Sequence, residues 1–528
     1  MTLGLAVVTF AGTAAARIFA SRDSYVGHDC KAHLFYAERI ALMRSGPFSP
    51  LPIPIVNSLP LREPLMWHWL VSFLPAKTVK NSQHYLNPLL DAIFSVFIYL
   101  ALLGLGVSSS HSLFAVCLYV ATPIWFTRLS IGPRTNNFTP RLSSEIATNM
   151  FLFTAFIPLI NDSGVAEVRI ASSILLALYV LLSSKFGNQA LFFLSPLICL
   201  ITGKYEAVFI LACAVCLAIL ISRGAYIYQL RQHLQHLSWY FKNNLSGKMY
   251  ISHRNSLKGL FVRYEDETDF DILYRLVKRL IIENSFSGLL LKFPLFLYVL
   301  AGSILVYQGG WDPSVYAPII SAVILYLLIN IPHMLFLGEA ERYLNHVAIF
   351  IVLAAVDLYL AGFAIPWLWA IVGYGLAWLL IEGMLAGGLD RRSNDEAEDQ
   401  RKVIAYLKTV PSTVVLGFPF TVCGGHYTVM SETSHQTIYI GGNINIGPSW
   451  SAKYSAGYPY VDLGLLEDME HEMGVKVLIC SRAALRKNAL NDWQPPDSWY
   501  EVTMGCQGLK IYVADSLLGR SSPHAYPT

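Results

Sequence analysis

Asp29 and His33 stand four residues apart in the first polar stretch of the chain, Gly27-His28-Asp29-Cys30-Lys31-Ala32-His33. On a helix that spacing puts a carboxylate and an imidazole on one face. A carboxylate so placed can take the proton of a hydroxyl nucleophile, with the imidazole in support. The same spacing fits an ordinary amphipathic helix whose polar face meets water. Asp23, nearer the preceding apolar run, is the reserve candidate for the base, and His28 adjoins Asp29 as a supporting side chain.

A second group is cationic. Arg141 follows Pro140 where an apolar run begins, with Glu145 one turn on. Lys185 splits two apolar runs in Ser183-Ser184-Lys185-Phe186-Gly187. Gly338-Glu339-Ala340-Glu341-Arg342-Tyr343 puts three charges in four residues between two apolar runs. A charge beside the bilayer is costly unless it is paired or functional, and the guanidinium fork suits phosphate oxygens. Lys185, Arg342 and Arg141 are therefore candidate phosphate ligands, with Glu145, Glu339, Glu341 and Tyr343 supporting them. The competing readings are a structural pair of Arg342 with Glu339 or Glu341, and a lysine that snorkels to the headgroups. The acidic run Glu265–Asp271 contains Asp269-Phe270-Asp271, a pattern able to hold a divalent metal, although such runs are usually solvated.

These residues need elements to hold them. Of 528 residues, 54% are hydrophobic and 14% charged, against roughly 25% charged in soluble domains. Apolar segments at 2–20, 88–107, 111–127, 145–161, 169–184, 188–202, 205–222, 293–308, 316–337, 343–361 and 364–385 read as about eleven membrane spans. Met1–Ala20 lacks a basic leader region and reads as a retained first helix. Between the spans lie a long first loop, 24–87, and a polar segment, 226–292. In the latter, Leu230, Leu234, Leu237 and Phe241 recur at helical spacing, the pattern of an interfacial helix. From Asp390 the composition changes. Arg391–Asp399 reads as a solvated linker, and beyond it short β-branched runs alternate with Gly- and Pro-bounded segments to Thr528. The expected division is thus a membrane domain over 1–389 and a soluble α/β domain over 390–528. Gly424-Gly425 and Gly441-Gly442 match no phosphate-binding fingerprint, and a net charge of +3 gives no ground for a nucleic-acid partner.

The order of these features is specific: a short first span, an acid just beyond it, and the segment Arg62-Glu63-Pro64-Leu65-Met66-Trp67-His68-Trp69. The helix start Thr139-Pro140-Arg141, then Glu341-Arg342-Tyr343 and a C-terminal soluble domain complete it. Over most of Met1–Leu385 the chain resembles the GT-C superfamily of integral-membrane glycosyltransferases, especially its protein mannosyltransferase and aminoarabinose transferase branch. The resemblance implies an inverting transfer of a sugar from a polyprenyl-phosphate donor to a glycan, lipid or protein acceptor outside the cytoplasm. It implies a multi-pass protein of the plasma or inner membrane, with site and α/β domain extracytoplasmic. It assigns the base to Asp29, and Cys30 stands where the commoner family pattern has a second acid. A divalent metal is allowed and not required. With the N-terminus inside, eleven spans bring all these polar segments to one side, although the positive-inside rule favours the opposite orientation. The competing functions are a lipid or glycan transporter or flippase, and a membrane-anchored scaffold whose α/β domain binds a partner.

Overall fold

The computed structural model describes residues 2–21, 28–56, 58, 60–127, 129, 138–157, 166–245, 254–255, 272–273, 276–305, 312–388, 390–422, 426–438, 453–457 and 460–517. The chain forms two compact units. One comprises Met1–Ser24, Gly46–Phe48 and Glu63–Gly387; the other comprises Tyr25–Ser45, Ser49–Arg62 and Gly388–Thr528.

The first unit is helical, and a helix stands at each of the eleven expected places. Among the described residues five helices are long and apolar enough to cross a bilayer: Thr2–Ser21, His84–Gly104, Ala166–Ser183, Lys185–Thr202 and Ile365–Met384. Two further pairs are bent, Glu206–Ile221 with Ala225–Lys242 by 112° and Ser285–Lys292 with Pro294–Leu305 by 91°, giving up to seven spans if each pair is one. Ser109–Ala121, Pro313–Ile329 and Ala348–Leu360 are shorter apolar helices. The chain is an integral membrane protein. The stretch expected at 316–337 stops being α-helical at Ile329, because Pro332 disfavours helix in the residue before it, and Pro332–Leu337 forms a 3-10 turn instead. Leu3, Phe209, Leu220, Ile304, Trp367 and Met384 point outward, as lipid-facing side chains must.

One polar contact ties this unit together at its N-terminus. Arg17, fully buried on Thr2–Ser21, donates through Nε to Asp91 Oδ2 at 2.6 Å and through Nη1 to the Val120 carbonyl at 2.8 Å. The Tyr119 hydroxyl donates to the other oxygen of Asp91 at 2.5 Å. Three helices are thereby joined through one satisfied charge pair, the only form in which such charges are tolerated away from water.

The second unit is built on a five-stranded sheet: β1 Val414–Phe418, β2 Gln436–Thr437, β5 Val475–Ser481, β6 Trp499–Val502 and β7 Leu509–Ala514, in the order β2-β1-β5-β7-β6. β3 Ser455–Gly457 and β4 Tyr460–Val461 form a separate antiparallel pair. β1 runs parallel to β2 and β5, while β7 is antiparallel to β5 and β6. Val415, Val477, Ile479, Ile511 and Val513 fill the core with Val403 and Leu407 of the helix Asp390–Leu407. That helix includes the stretch expected as a linker. Asp399 within it accepts the N–H groups of Gln507 at 3.1 Å and Gly508 at 2.7 Å.

Two pieces of the first loop belong to this unit. The helix His28–Met43 packs on the helix His426–Glu432, where the Tyr36 and Tyr427 hydroxyls share a 2.6 Å hydrogen bond and Phe35 meets the Tyr427 ring. Ile55 forms a parallel bridge to Thr437, with Val56 N–H donating to the Thr437 carbonyl and Thr437 N–H to the Pro54 carbonyl, each at 3.0 Å. The loop thus extends the sheet beyond β2.

Asp91→Ala leaves the Arg17 charge buried without its carboxylate and lowers stability by about 3–5 kcal/mol. The paired change Arg17→Leu with Asp91→Leu costs less, and thermal unfolding of detergent-solubilised protein distinguishes the two. Tyr427→Phe removes one hydrogen bond, worth about 1 kcal/mol. It accelerates amide hydrogen exchange in His28–Met43 while exchange in Thr2–Ser21 stays unchanged.

Candidate anion-binding site

Several elements of the membrane unit bring charged side chains together. Pro140 precedes Arg141, whose Nε donates to Glu145 Oε1 at 2.8 Å one turn along the helix Arg141–Phe156. Asn149, a further turn on, donates to the carbonyls of Glu145 and Asn345, both at 2.8 Å, and accepts the Ile349 N–H at 3.1 Å. It thereby locks this helix to the segment carrying Arg342. Arg342 Nε lies 2.6 Å from Glu339 Oε2, and the guanidinium covers the Phe186 ring at 5.2 Å. Gly338, at φ 105°, makes the turn before Glu339, and a Cβ there would lie 3.2 Å from Phe186.

Two further cations complete the group. Arg254, buried, pairs with Glu341, while its Nε and Nη1 have no hydrogen-bond partner among the described residues. Its turn is fixed by Asn255, which donates to Asn330 Oδ1 at 2.9 Å and accepts the Ser285 N–H at 2.7 Å. Lys292, also buried, ends the helix Ser285–Lys292 and donates to the Leu129 carbonyl at 3.3 Å. Gly288, one turn earlier, leaves room for it: a Cβ there would come within 3.2 Å of the ammonium and 2.6 Å of the Ile281 carbonyl.

Electrostatics joins these residues into one group. Burial opposes ionisation of Glu339, but Arg342, Arg254 and Arg141 outweigh it and hold the carboxyl below its ordinary range. Four cations (Arg141, Arg254, Lys292 and Arg342) face three carboxylates (Glu145, Glu339 and Glu341), and among the described residues no carboxylate forms an ion pair with Lys292. Among the described residues the excess is positive, so the group is suited to an anion, and the guanidiniums can bind phosphate oxygens through N–H donors.

The sequence-derived candidates are distributed as follows. Arg141, Glu145, Glu339, Glu341 and Arg342 lie in this group, and Tyr343 is buried beside it with Phe186 against its ring at 5.1 Å. Arg342 is engaged by Glu339, so the expected structural pair exists. Lys185 pairs with Glu63 at 2.5 Å, one residue before Phe186. In the other unit, Asp29 is exposed and His33 half-buried on the same helix, with the His33 ring edge-on to Tyr36. Of His28 only the backbone is described; Asp23 and the acidic run 265–271 lie outside the described residues. Among the described residues no group of three or more His, Cys, Asp or Glu could hold a metal ion. Arg254 and Lys292 were not foreseen. Lys292 had a signal, a lone cation closing Leu289-Leu290-Leu291; Arg254, in a polar stretch, had none.

No protein-family model and no curated protein sequence matches the chain. Solved structures do. ArnT from Cupriavidus metallidurans, crystallised bound to undecaprenyl phosphate, superposes over 98% of this chain and 99% of its own, with a TM-score of 0.55 at 13% identity. The Archaeoglobus fulgidus oligosaccharyltransferase is similar in its apo form over 94% of this chain and 72% of its own, at TM-score 0.53 and 12% identity. It is similar again when tethered to an acceptor peptide, over 91% and 69%, at TM-score 0.51 and 11% identity. The chain is an integral membrane protein with the GT-C fold.

Because the Glu339 carboxyl is held below its ordinary range, its stabilising contribution is present above the unfolded value of about 4.3 and is lost as pH falls through the lower folded value. Glu339→Gln removes that dependence. The difference in melting temperature between wild type and variant is then largest near neutral pH and shrinks on acidification below about pH 4.

Proposed function

We propose that the chain is an inverting glycosyltransferase that moves a sugar from a polyprenyl-phosphate donor to an acceptor hydroxyl on the extracytoplasmic face. The observation that carries this reading is the partly buried group of four cations against three carboxylates, in a chain with the fold of ArnT. ArnT was crystallised with undecaprenyl phosphate, and a polyprenyl-phosphate carrier supplies both the anion and the apolar tail that this membrane unit suits. With the N-terminus inside, the eleven spans read from the sequence would bring the polar segments to that face.

In this mechanism Arg342 and Arg141, joined by Arg254 and Lys292, bind the donor phosphate, while Lys185, the third cation expected there from the sequence, is held by Glu63. The four stabilise the charge that grows on the phosphate as the glycosidic bond breaks, the electrostatic effect that usually dominates such catalysis. Asp29 accepts the proton of the acceptor hydroxyl as its oxygen attacks the anomeric carbon opposite the departing phosphate, with His33 orienting the carboxylate. Asp23 is the reserve base. The tail follows an apolar groove of about 570 Å³ that starts at Leu290 and Leu291, next to Lys292, and continues past Leu297, Tyr298, Trp367 and Tyr374. The α/β domain holds the acceptor.

Two substitutions separate these roles. Asp29→Asn lowers turnover by roughly 10²–10⁴-fold, the usual contribution of a general base, with binding of the carrier unchanged. Lys292→Met weakens undecaprenyl phosphate binding by about tenfold, the loss of a charge-assisted contact, and leaves the helix Ser285–Lys292 intact. Transfer of labelled sugar in reconstituted vesicles and carrier binding in detergent measure the two effects. Normal transfer by Asp29→Asn removes the base assignment, and unchanged carrier affinity in Lys292→Met removes the phosphate assignment.

A further inference from the structure

The helix Ala225–Leu245 turns several polar side chains inward while apolar ones face out. Leu234 is 64% exposed, and Ile227 and Tyr228 also face outward, whereas Gln229 is 5% and Gln232 9% exposed. Gln229, Gln232 and His233 are spaced three and four residues apart and share the inner face. In each of the three one side-chain atom is buried and lacks a hydrogen-bond partner among the described residues: Gln229 Oε1, Gln232 Oε1 and His233 Nδ1. Gln229 is held in orientation, because its Nε2 donates to the Glu63 carbonyl at 3.0 Å, so its free oxygen is a fixed acceptor. Glu63 in turn pairs with Lys185, and His233 lies within electrostatic range of that lysine.

Two buried amide oxygens and a buried ring nitrogen without partners are a costly arrangement unless something supplies them. The charges beside them cancel, since Lys185 and Glu63 pair, and bare carbonyl oxygens repel an anion. What fits is a neutral group bearing several hydroxyls. We propose that Gln229, Gln232 and His233, with the Glu63–Lys185 pair beside them, form a saccharide subsite: the two amide oxygens accept hydroxyl hydrogens of a sugar, and the His233 ring nitrogen hydrogen-bonds a further hydroxyl. This rests on the glycosyltransferase reading and deepens it: the subsite recognises a neutral sugar, either the one carried by the lipid donor or one on the acceptor.

The full-length protein in detergent is tested with undecaprenyl phosphate, the same carrier bearing a neutral hexose, and methyl hexosides at millimolar concentration. Gln232→Leu is expected to weaken the hexose-linked carrier by about tenfold, the loss of one hydrogen bond to a buried partner, while the bare carrier binds as before. That result identifies the donor's sugar. Protection of Gln229–His236 amides from hydrogen exchange by methyl hexosides, lost in Gln229→Leu, supports the subsite with an acceptor sugar as its ligand. Equal weakening of both carriers overturns the proposal, because the substitution then acts on the fold or the phosphate. So does the absence of both hexose discrimination and hexoside protection, because the buried atoms are then satisfied by water. If wild type binds neither carrier, the glycosyltransferase reading fails, and the hexoside arm still decides the subsite.

Discussion

A charge inside a membrane protein has to carry its own compensation, and the membrane unit is organised by that constraint. Arg17 has Asp91, Arg141 has Glu145, Arg254 has Glu341, Arg342 has Glu339 and Lys185 has Glu63. Removing one partner leaves a desolvated ion, so the pairs constrain which helix ends can meet. The two outcomes differ in kind. At Arg17 the guanidinium and carboxylate are satisfied among three helices, and nothing is left over for chemistry. Around Arg342 the donors outnumber the acceptors, and Arg254 keeps two nitrogens without a partner among the described residues. Among the described residues, compensation is complete at Arg17 and incomplete around Arg342.

The surroundings of that group show how little backbone is needed to support it. Pro140 starts one helix, Gly338 turns the chain under Phe186, Gly288 clears space for an ammonium, and Asn149 bridges two segments. The proline and the two glycines are small or conformationally special residues close to a charged one. Their work is to let bulky cations converge without steric conflict, which is a packing problem before it is an electrostatic one.

Much of this was legible in the sequence because the bilayer makes charge conspicuous. Arg141, Glu145, Lys185 and the Glu339–Arg342 cluster stood out against apolar flanks, and five of those residues meet in one group. Arg254 was invisible because its flanks are polar and contrast was the only signal. The periodicity of Leu230, Leu234 and Leu237 announced a helix but not which side faces in, since spacing is the same whether the outer medium is water or lipid. Four β-branched runs in the C-terminal region became strands close to where expected, while Arg391–Asp399, read as a linker, is helix. The recruitment of Tyr25–Ser45 and Ser49–Arg62 into the α/β unit had no local signal at all. It depends on partners such as Tyr427 and Thr437, far along the chain.

That last feature bears on how the protein comes into being. The bridge between Ile55 and Thr437 joins residues separated by most of the chain, so the loop that emerges early in translation has no partner until nearly all the rest has been made. Contacts of such separation form late and slowly, and domains otherwise tend to fold in the order they are synthesised. The helix bearing Asp29 therefore reaches its packed state only after the C-terminal sheet exists. A ribosome that stops short of residue 437 releases a chain whose membrane helices can be in place while its first loop is still unassembled. Completion of synthesis is in this sense a requirement for the loop's final structure, written into the sheet register itself.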